Sequence, residues 1–229
     1  MNKTVVLLSG GIDSTTCLAL AVSSGENDVY ALNITYGQKH VRELKSAEAV
    51  AAYYHVPYRL LDLSSVFAES SCSLLRHSNK EIDHSSYAEQ LKKKGNEGKV
   101  GTYVPFRNGL MLSAAAGYAE SIGAVRIVYG AHADDAAGRA YPDCTPEFVK
   151  YMNLAITEGT GGAVSLEAPF ISCNKAEIVR RGLELKVPYH LTWSCYEGGE
   201  YPCGTCGTCR DRIRAFEINN ARDPLIYPG

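Results

Sequence analysis

A β-branched run, Thr4-Val5-Val6-Leu7-Leu8, ends at Ser9-Gly10-Gly11-Ile12-Asp13-Ser14 and then gives way to helix-forming residues. That junction constrains the fold more than any other feature. A short apolar run closed by glycines reads as a buried parallel strand. A helix starting directly after it presents unpaired N–H groups and the positive end of its dipole. Two glycines let the backbone approach an anion closely. The loop is therefore expected to cradle phosphate, with Ser9 and Ser14 adding hydroxyl donors. Asp13 is the odd member, since a carboxylate beside phosphate needs Mg²⁺ or a cap contact to offset the repulsion. Asp13 or Ser14 is expected to cap the helix, over roughly residues 15–24. The loop has no lysine and matches neither G-x-x-x-x-G-K-[ST] nor G-x-G-x-x-G.

The alternation continues. Residues 29–35 (VYALNIT) read as a second strand, 41–54 as a helix with Val41, Leu44, Ala47, Val50 and Ala51 on one face, and 56–63 as a third strand. This β-α-β-α-β order predicts an α/β fold, an open parallel-sheet, Rossmann-like sandwich with right-handed crossovers. Residues 72–101 break the pattern. They are polar and carry Lys92-Lys93-Lys94 with Gly95, Gly98 and Gly101, which predicts a partly mobile surface insertion. A helix over 108–122, a strand over 126–130, a helix over 146–157, a strand over 164–170 and a helix over 175–185 follow. The 229 residues are expected to form one α/β domain, with a small metal-bound segment over 190–229.

A formal net charge of −2 argues against a protein that wraps nucleic acid by charge. No apolar run is long enough to cross a bilayer. With no signal-peptide pattern before the first strand, Met1 is expected to be the true start and the compartment a reducing cytoplasm. In that setting the eight cysteines are better read as metal ligands or catalytic groups than as disulfides. Cys195, Cys203, Cys206 and Cys209 give C-x7-C-x2-C-x2-C. Two interlocking C-x2-C turns place four thiolates together, the closed ligand set of structural Zn²⁺. An Fe–S cluster uses the same ligands, and a redox C-x-x-C is a further alternative. Gly204 and Gly207 suit tight turns under a metal. Arg210, Arg212 and Arg214 would offset its negative charge.

Ser9-Gly10-Gly11-Ile12-Asp13-Ser14 resembles the SGGxDS signature of the PP-loop ATP pyrophosphatases, an adenine nucleotide alpha hydrolase-type fold. The resemblance implies that the loop holds the β- and γ-phosphates of ATP while the α-phosphate is attacked. More letters narrow it: Tyr36-Gly37-Gln38-Lys39-His40, Val104-Pro105-Phe106-Arg107-Asn108, Gly130-Ala131-His132, Tyr141-Pro142-Asp143-Cys144, Lys175-Ala176-Glu177-Ile178 and Trp193-Ser194-Cys195. In that order, and outside 72–101, the chain resembles the family of 7-cyano-7-deazaguanine synthases. Phe106 departs from the pattern, standing where the family usually has glycine.

The resemblance implies an ATP-dependent carbon–nitrogen ligase of queuosine biosynthesis. Its substrates would be 7-carboxy-7-deazaguanine and ammonia, its product the nitrile by way of an amide, and its cofactors ATP, Mg²⁺ and Zn²⁺. It implies a homodimer that binds no nucleic acid directly. Leu8, Ser9, Gly10, Gly11, Ile12, Asp13 and Ser14 are then expected on ATP, with Gly37 and Gln38 at the second strand's end, where open sheets bind ligands. Lys39, Arg107, Asp135 and Lys175 are the expected catalytic group. Asn108, His132 and Asp143 are expected on the substrate, Asp143 facing the paired donors of a guanine edge. Plainer roles stand beside these: a turn at Gly37, a solvated helix start at Lys39 and His40, an N-cap at Asn108, a structural His132 and a helix cap at Asp143. A tRNA-modifying PP-loop enzyme, of thiolation or lysidine type, and a non-catalytic nucleotide-binding zinc module are the rival functions.

Overall fold

Val5 and Val6 point to opposite faces of one strand, and both are fully buried. Side chains alternate along a strand, so two buried neighbours require cover on both sides. The computed structural model, which describes residues 2–25, 28–39, 41–82, 99–137 and 140–228, shows that cover. Five strands, β1 (Lys3–Leu7), β2 (Asp28–Thr35), β3 (Tyr58–Asp62), β4 (Ala124–Val128) and β5 (Ser165–Glu167), form one parallel sheet in the order β3-β2-β1-β4-β5. Among the described residues the α-helices are α1 (Ile12–Ser23), α2 (Arg42–Tyr53), α3 (Arg107–Ser121), α4 (Ala133–Ala136), α5 (Pro146–Gly159), α6 (Lys175–Glu184) and α7 (Gly207–Ile218). Val5, Leu32 and Ile127 pack with Leu112, Ala115 and Ile156 of α3 and α5. On the other face Val6, Ala31 and Val128 meet Leu18, Val50, Ile178 and Phe216 of α1, α2, α6 and α7. Burying one such large side chain contributes about 1.5–3 kcal/mol.

The strand order places the site. β1 lies between β2 and β4: the chain builds outward from β1 through β2 to β3 and then crosses back to β4 on the other side of β1. The crevice at the carboxyl ends of such strands is where open α/β sheets bind ligands. Ser9 to Ser14 leave β1 there, and Gly130, Ala131 and His132 leave β4 beside them. Among the described residues no helix is long and apolar enough to cross a membrane.

The expected α/β sandwich is the observed one, with differences in detail. α1 begins three residues early, at Ile12, and neither Asp13 nor Ser14 caps it; Gly11 holds the cap position without a side-chain bond. The Ser14 hydroxyl is instead engaged with Ser9. β5 is three residues long, not seven. α7 was not expected from the sequence, because its buried face includes Arg212 and Cys209 as well as Ala215 and Phe216, which blurs the apolar period. The described ends of the 72–101 segment are not surface chain. Cys72, Leu74 and Leu75 are buried with Tyr36, Phe67 and Val104, and Gln38 pairs with Leu75 in an antiparallel bridge. Polar composition concealed these few anchors. Its middle, residues 83–98, lies outside the described residues, as does His40.

Candidate active site

Gly10 has φ +87°, and a Cβ there would stand 2.5 Å from the Glu43 carbonyl oxygen and 2.6 Å from the Ala47 nitrogen. Only glycine lets the loop lie this close to α2. Gly10→Ala combines a left-handed strain with a backbone clash and is expected to cost about 1–3 kcal/mol, read as a lower urea midpoint. Leu8 is buried below the loop. Its N–H donates to Leu32 O at 2.9 Å, and the Asn33 amide donates to its carbonyl at 2.7 Å. The Ser9 and Ser14 hydroxyls lie 3.0 Å apart. Trp193 N–H donates to Gly10 O at 2.9 Å, tying the C-terminal segment to the loop. With no side-chain cap, the first-turn amides of α1 remain available to an anion.

A charged cluster stands beside these amides. Lys175 Nζ reaches Asp13 Oδ2 at 2.5 Å and His132 Nε2 at 2.9 Å. His132 Nε2 is 3.2 Å from Asp135 Oδ2, and the Lys175 N–H donates to Asp134 Oδ2 at 2.8 Å. Asn174 and Glu177 form a capping box that fixes the start of α6, and Lys175 with it. Burial alone would raise the Asp13 carboxyl, but Lys175 and His132 hold it below its usual value. Burial likewise opposes the charge on Lys175, and Asp13 with Asp135 raises it above the usual value. Asp13 Oδ1 and His132 Nδ1 are buried with no hydrogen-bond partner among the described residues.

Both groups line one cavity of about 260 Å³. The same cavity is also lined by Tyr36, Gln38, Glu43, Arg107, Asn108, Met111, Tyr129 and Cys144. The Arg107 guanidinium lies 4.9 Å from the Tyr36 ring centroid, a cation–π contact that fixes its plane. Burial pushes the Glu43 carboxyl up to about 7, Arg107 offsetting part of the rise. Burial also pushes the Cys144 thiol up to about 12, which disfavours its thiolate form.

Most of the expected residues line this cavity; Gly10, Gly37, Lys39 and Asp143 do not. Lys39 is off the wall: its Nζ donates to Lys80 O at 2.8 Å, because the chain after the Gly37 turn runs outward to pair with the 72–75 segment. Gly37, at φ +85°, is a turn glycine whose carbonyl accepts from Arg76 N–H at 2.8 Å. Gln38 is on the wall, but its Oε1 accepts from Thr35 Oγ1 and Tyr36 N–H, so it braces the turn. Asp143 is buried behind the wall, where its Oδ2 accepts from Asn108 N–H at 2.9 Å and so caps α3. The expected capping role was right in kind and wrong in target, since Thr145 caps α5. Asp143→Ala should lower the thermal midpoint by the equivalent of about 1–3 kcal/mol and leave the KM for substrate unchanged. A raised KM at unchanged stability would restore a binding role. Glu43, Asp211, Asn33 and Thr208 line the cavity without having been singled out. Glu43 had one available signal: it shares a helix face with Ala47, four residues on, and that face must meet the loop.

The four expected cysteines converge. Their Sγ atoms all lie within 4.8 Å of one another. Backbone N–H groups of Glu197 and Cys203 point at Cys195 Sγ, and those of Thr205 and Cys206 at Cys203 Sγ, the pattern that supports thiolate ligands. The donor set fits tetrahedral Zn²⁺ closed on all sides. Arg212 does not serve it as a counter-charge. It is buried in a two-pronged pair with Asp223 at 2.7 and 3.0 Å and bonds Thr192 and Tyr189 O, pinning α7 to the chain before Trp193.

Comparison with known proteins follows the same lines. Residues 3–220 match the family described as "Queuosine biosynthesis protein QueC". The chain is 43% identical over 225 residues to the 7-cyano-7-deazaguanine synthase of Caldicellulosiruptor bescii, covering 98% of this chain and 97% of that one. It is 44% identical to the corresponding protein of Archaeoglobus fulgidus, over 98% and 90% of the two chains. Among solved structures it resembles NMN synthetase from Francisella tularensis, with a TM-score of 0.52 at 16% identity over 96% of this chain and 78% of that one. That likeness is one of fold.

Proposed function

Since the chain belongs to the QueC family of queuosine biosynthesis proteins, we propose that the cavity over the Ser9–Ser14 loop is where its reaction runs. The reaction is the ATP-dependent conversion of 7-carboxy-7-deazaguanine and ammonia to 7-cyano-7-deazaguanine through an amide. A carboxylate oxygen is a poor leaving group. Transfer of a phosphoryl-containing group from ATP makes it a good one, and ammonia then displaces it. The protein's part is positioning and charge neutralisation.

The observation that carries this reading is one cavity lined both by the uncapped start of α1 and by the half-buried Arg107. The α1 amides, the Ser9 and Ser14 hydroxyls and Lys175 suit the phosphates. The unpartnered Asp13 Oδ1 suits the Mg²⁺ that accompanies ATP, with Asp135 beside it. The fork of Arg107 matches a carboxylate or a ring carbonyl, and Asn108 and His132 complete that wall. The thiolate set holds Zn²⁺, whose part is structural: it folds residues 190–229 against the loop. The whole chain acts as a single unit, a cytoplasmic homodimer acting on small molecules and not on nucleic acid.

The test is direct. Purified protein with 7-carboxy-7-deazaguanine, ATP, Mg²⁺ and ammonium should yield the nitrile by mass spectrometry, with ATP cleaved only when the base is present. ATP cleavage driven by tRNA instead would move the protein to another PP-loop branch. The nucleotide product, AMP or ADP, identifies which phosphorus is attacked.

A further inference from the structure

The chemistry above requires a group that the site has not yet provided. Ammonia adding to the activated carbonyl must lose one N–H proton to become the amide. The amide must then lose two more to become the nitrile. Three protons therefore leave one nitrogen, and a base has to accept them.

The carboxylates on the cavity wall can be sorted by what they already do. Asp13 is paired with Lys175, Asp135 with His132, and Asp134 accepts the Lys175 N–H. Asp211 faces Lys175, Asp134, Asp135 and His132 at the phosphate end. Glu43 is different. It lines the cavity, is half-buried, and has no hydrogen-bond or ion-pair partner among the described residues. Its backbone packs directly on the loop, its carbonyl oxygen 2.5 Å from where a Cβ of Gly10 would be. Its backbone therefore lies beside the loop proposed to hold the phosphates, and its side chain lines the same cavity. From α3 it is faced by Arg107, and the Tyr36 hydroxyl approaches from the end of β2. Its neighbour Arg42 stands 5.5 Å from the Trp193 ring.

We infer that Glu43 is the proton acceptor for the nitrogen that replaces oxygen on the substrate carbon. The inference rests on the reading of the cavity as the site of nitrile synthesis. In the first half, a C–N bond forms, Glu43 takes an N–H proton, and the C–O bond to the activating group breaks with its electron pair on oxygen. In the second half, the amide oxygen is activated by a second ATP. Glu43 then takes two N–H protons in turn as the C≡N bond completes and the phosphoryl-bearing oxygen leaves. Each proton passes on to water at the cavity mouth. A base works best when its pKa lies near the working pH, and burial raises Glu43 to about 7. The carboxylate is the active form, so the rate should fall as pH drops through that value.

The test uses the second half alone, starting from the amide with ATP and Mg²⁺, so that the protonation of ammonia does not enter. Wild-type turnover of amide to nitrile checks the underlying reading, and its absence would remove that reading first. Given that turnover, Glu43→Gln should lower kcat by about 100-fold or more, leave KM for the amide unchanged, and abolish the acidic limb of the kcat–pH profile. Glu43→Asp should keep the limb with partial activity, which covers a glutamine variant that fails to fold. An unchanged kcat, a limb that persists in Glu43→Gln, or a loss confined to KM would overturn the proposal. The last outcome would make Glu43 a reader of the base's donor edge.

Discussion

Lys175→Met is expected to cut turnover by about 100- to 1000-fold, the loss typical when one fixed donor is removed from a developing negative charge. Methionine keeps the length and the apolar stem but removes the ammonium that stands 2.5 Å from Asp13 and 2.9 Å from His132. A smaller stability cost of about 1–3 kcal/mol should accompany it, because a partly buried carboxylate loses its partner. The pH dependence of that cost has a definite sign. In the wild type Asp13 is held below its usual value, so it stabilises the fold above the ordinary carboxylate range and loses that effect as pH falls through the depressed value. Without Lys175, burial is left to raise Asp13, and the stability deficit should widen as pH climbs past the carboxylate range. Denaturant midpoints at several pH values measure this, and single-turnover nitrile formation measures the rate. Turnover within a few-fold of wild type would remove Lys175 from the phosphate site.

Zinc removal should have the other large effect. Apparent binding energies of four-ligand structural zinc are of the order of 10–16 kcal/mol at neutral pH, comparable to the whole stability of a domain. Here the cluster anchors the stretch that bears Trp193, Thr208, Asp211 and Arg212, all on the cavity wall. Trp193 is the single tryptophan. It is buried against the cysteines, with its Nε1–H on Cys195 O at 2.8 Å and its N–H on the loop at Gly10. A chelator strong enough to strip the metal should red-shift its fluorescence, and activity should disappear along the same time course. A closed thiolate site offers no coordination position to substrate, so the loss is one of support. Full activity at zero zinc, measured by metal analysis, would show that the segment holds the wall without it.

The parts of the site that could be read from the chain are those where the backbone does the chemistry. Gly10 and Gly11 are set by where the strand stops and the helix starts, and the cysteines by a spacing that has few other uses. Side chains at the ends of turns were harder, because one residue of rotation decides which way they point. Lys39 and Gln38 are adjacent, yet Gln38 faces the cavity and Lys39 faces Lys80. Asp143 illustrates a second difficulty. A carboxylate that binds a ligand and one that caps a distant helix look alike in sequence, and the partner, Asn108 N–H, lies 35 residues away. Phe106 is the reverse case. The expected glycine position has φ +51°, the left-handed region, so the pattern correctly marked a special backbone. Phe106 occupies it by laying its ring over Gly109, where a Cβ would come within 2.3 Å of the ring, and edge-on to Phe148. Arg107 still enters the cavity from that turn.

The proposed reaction places phosphates on the first turn of α1 and the deazaguanine against Arg107 and Glu43. A crystal structure with a non-hydrolysable ATP analogue, Mg²⁺ and 7-carboxy-7-deazaguanine tests it most directly. Phosphate oxygens within hydrogen-bond distance of the Gly11–Ser14 amides and of Lys175, with the substrate carboxylate turned toward them, are the predicted result. Nucleotide bound elsewhere, with these amides facing only solvent, would put the reaction outside this cavity.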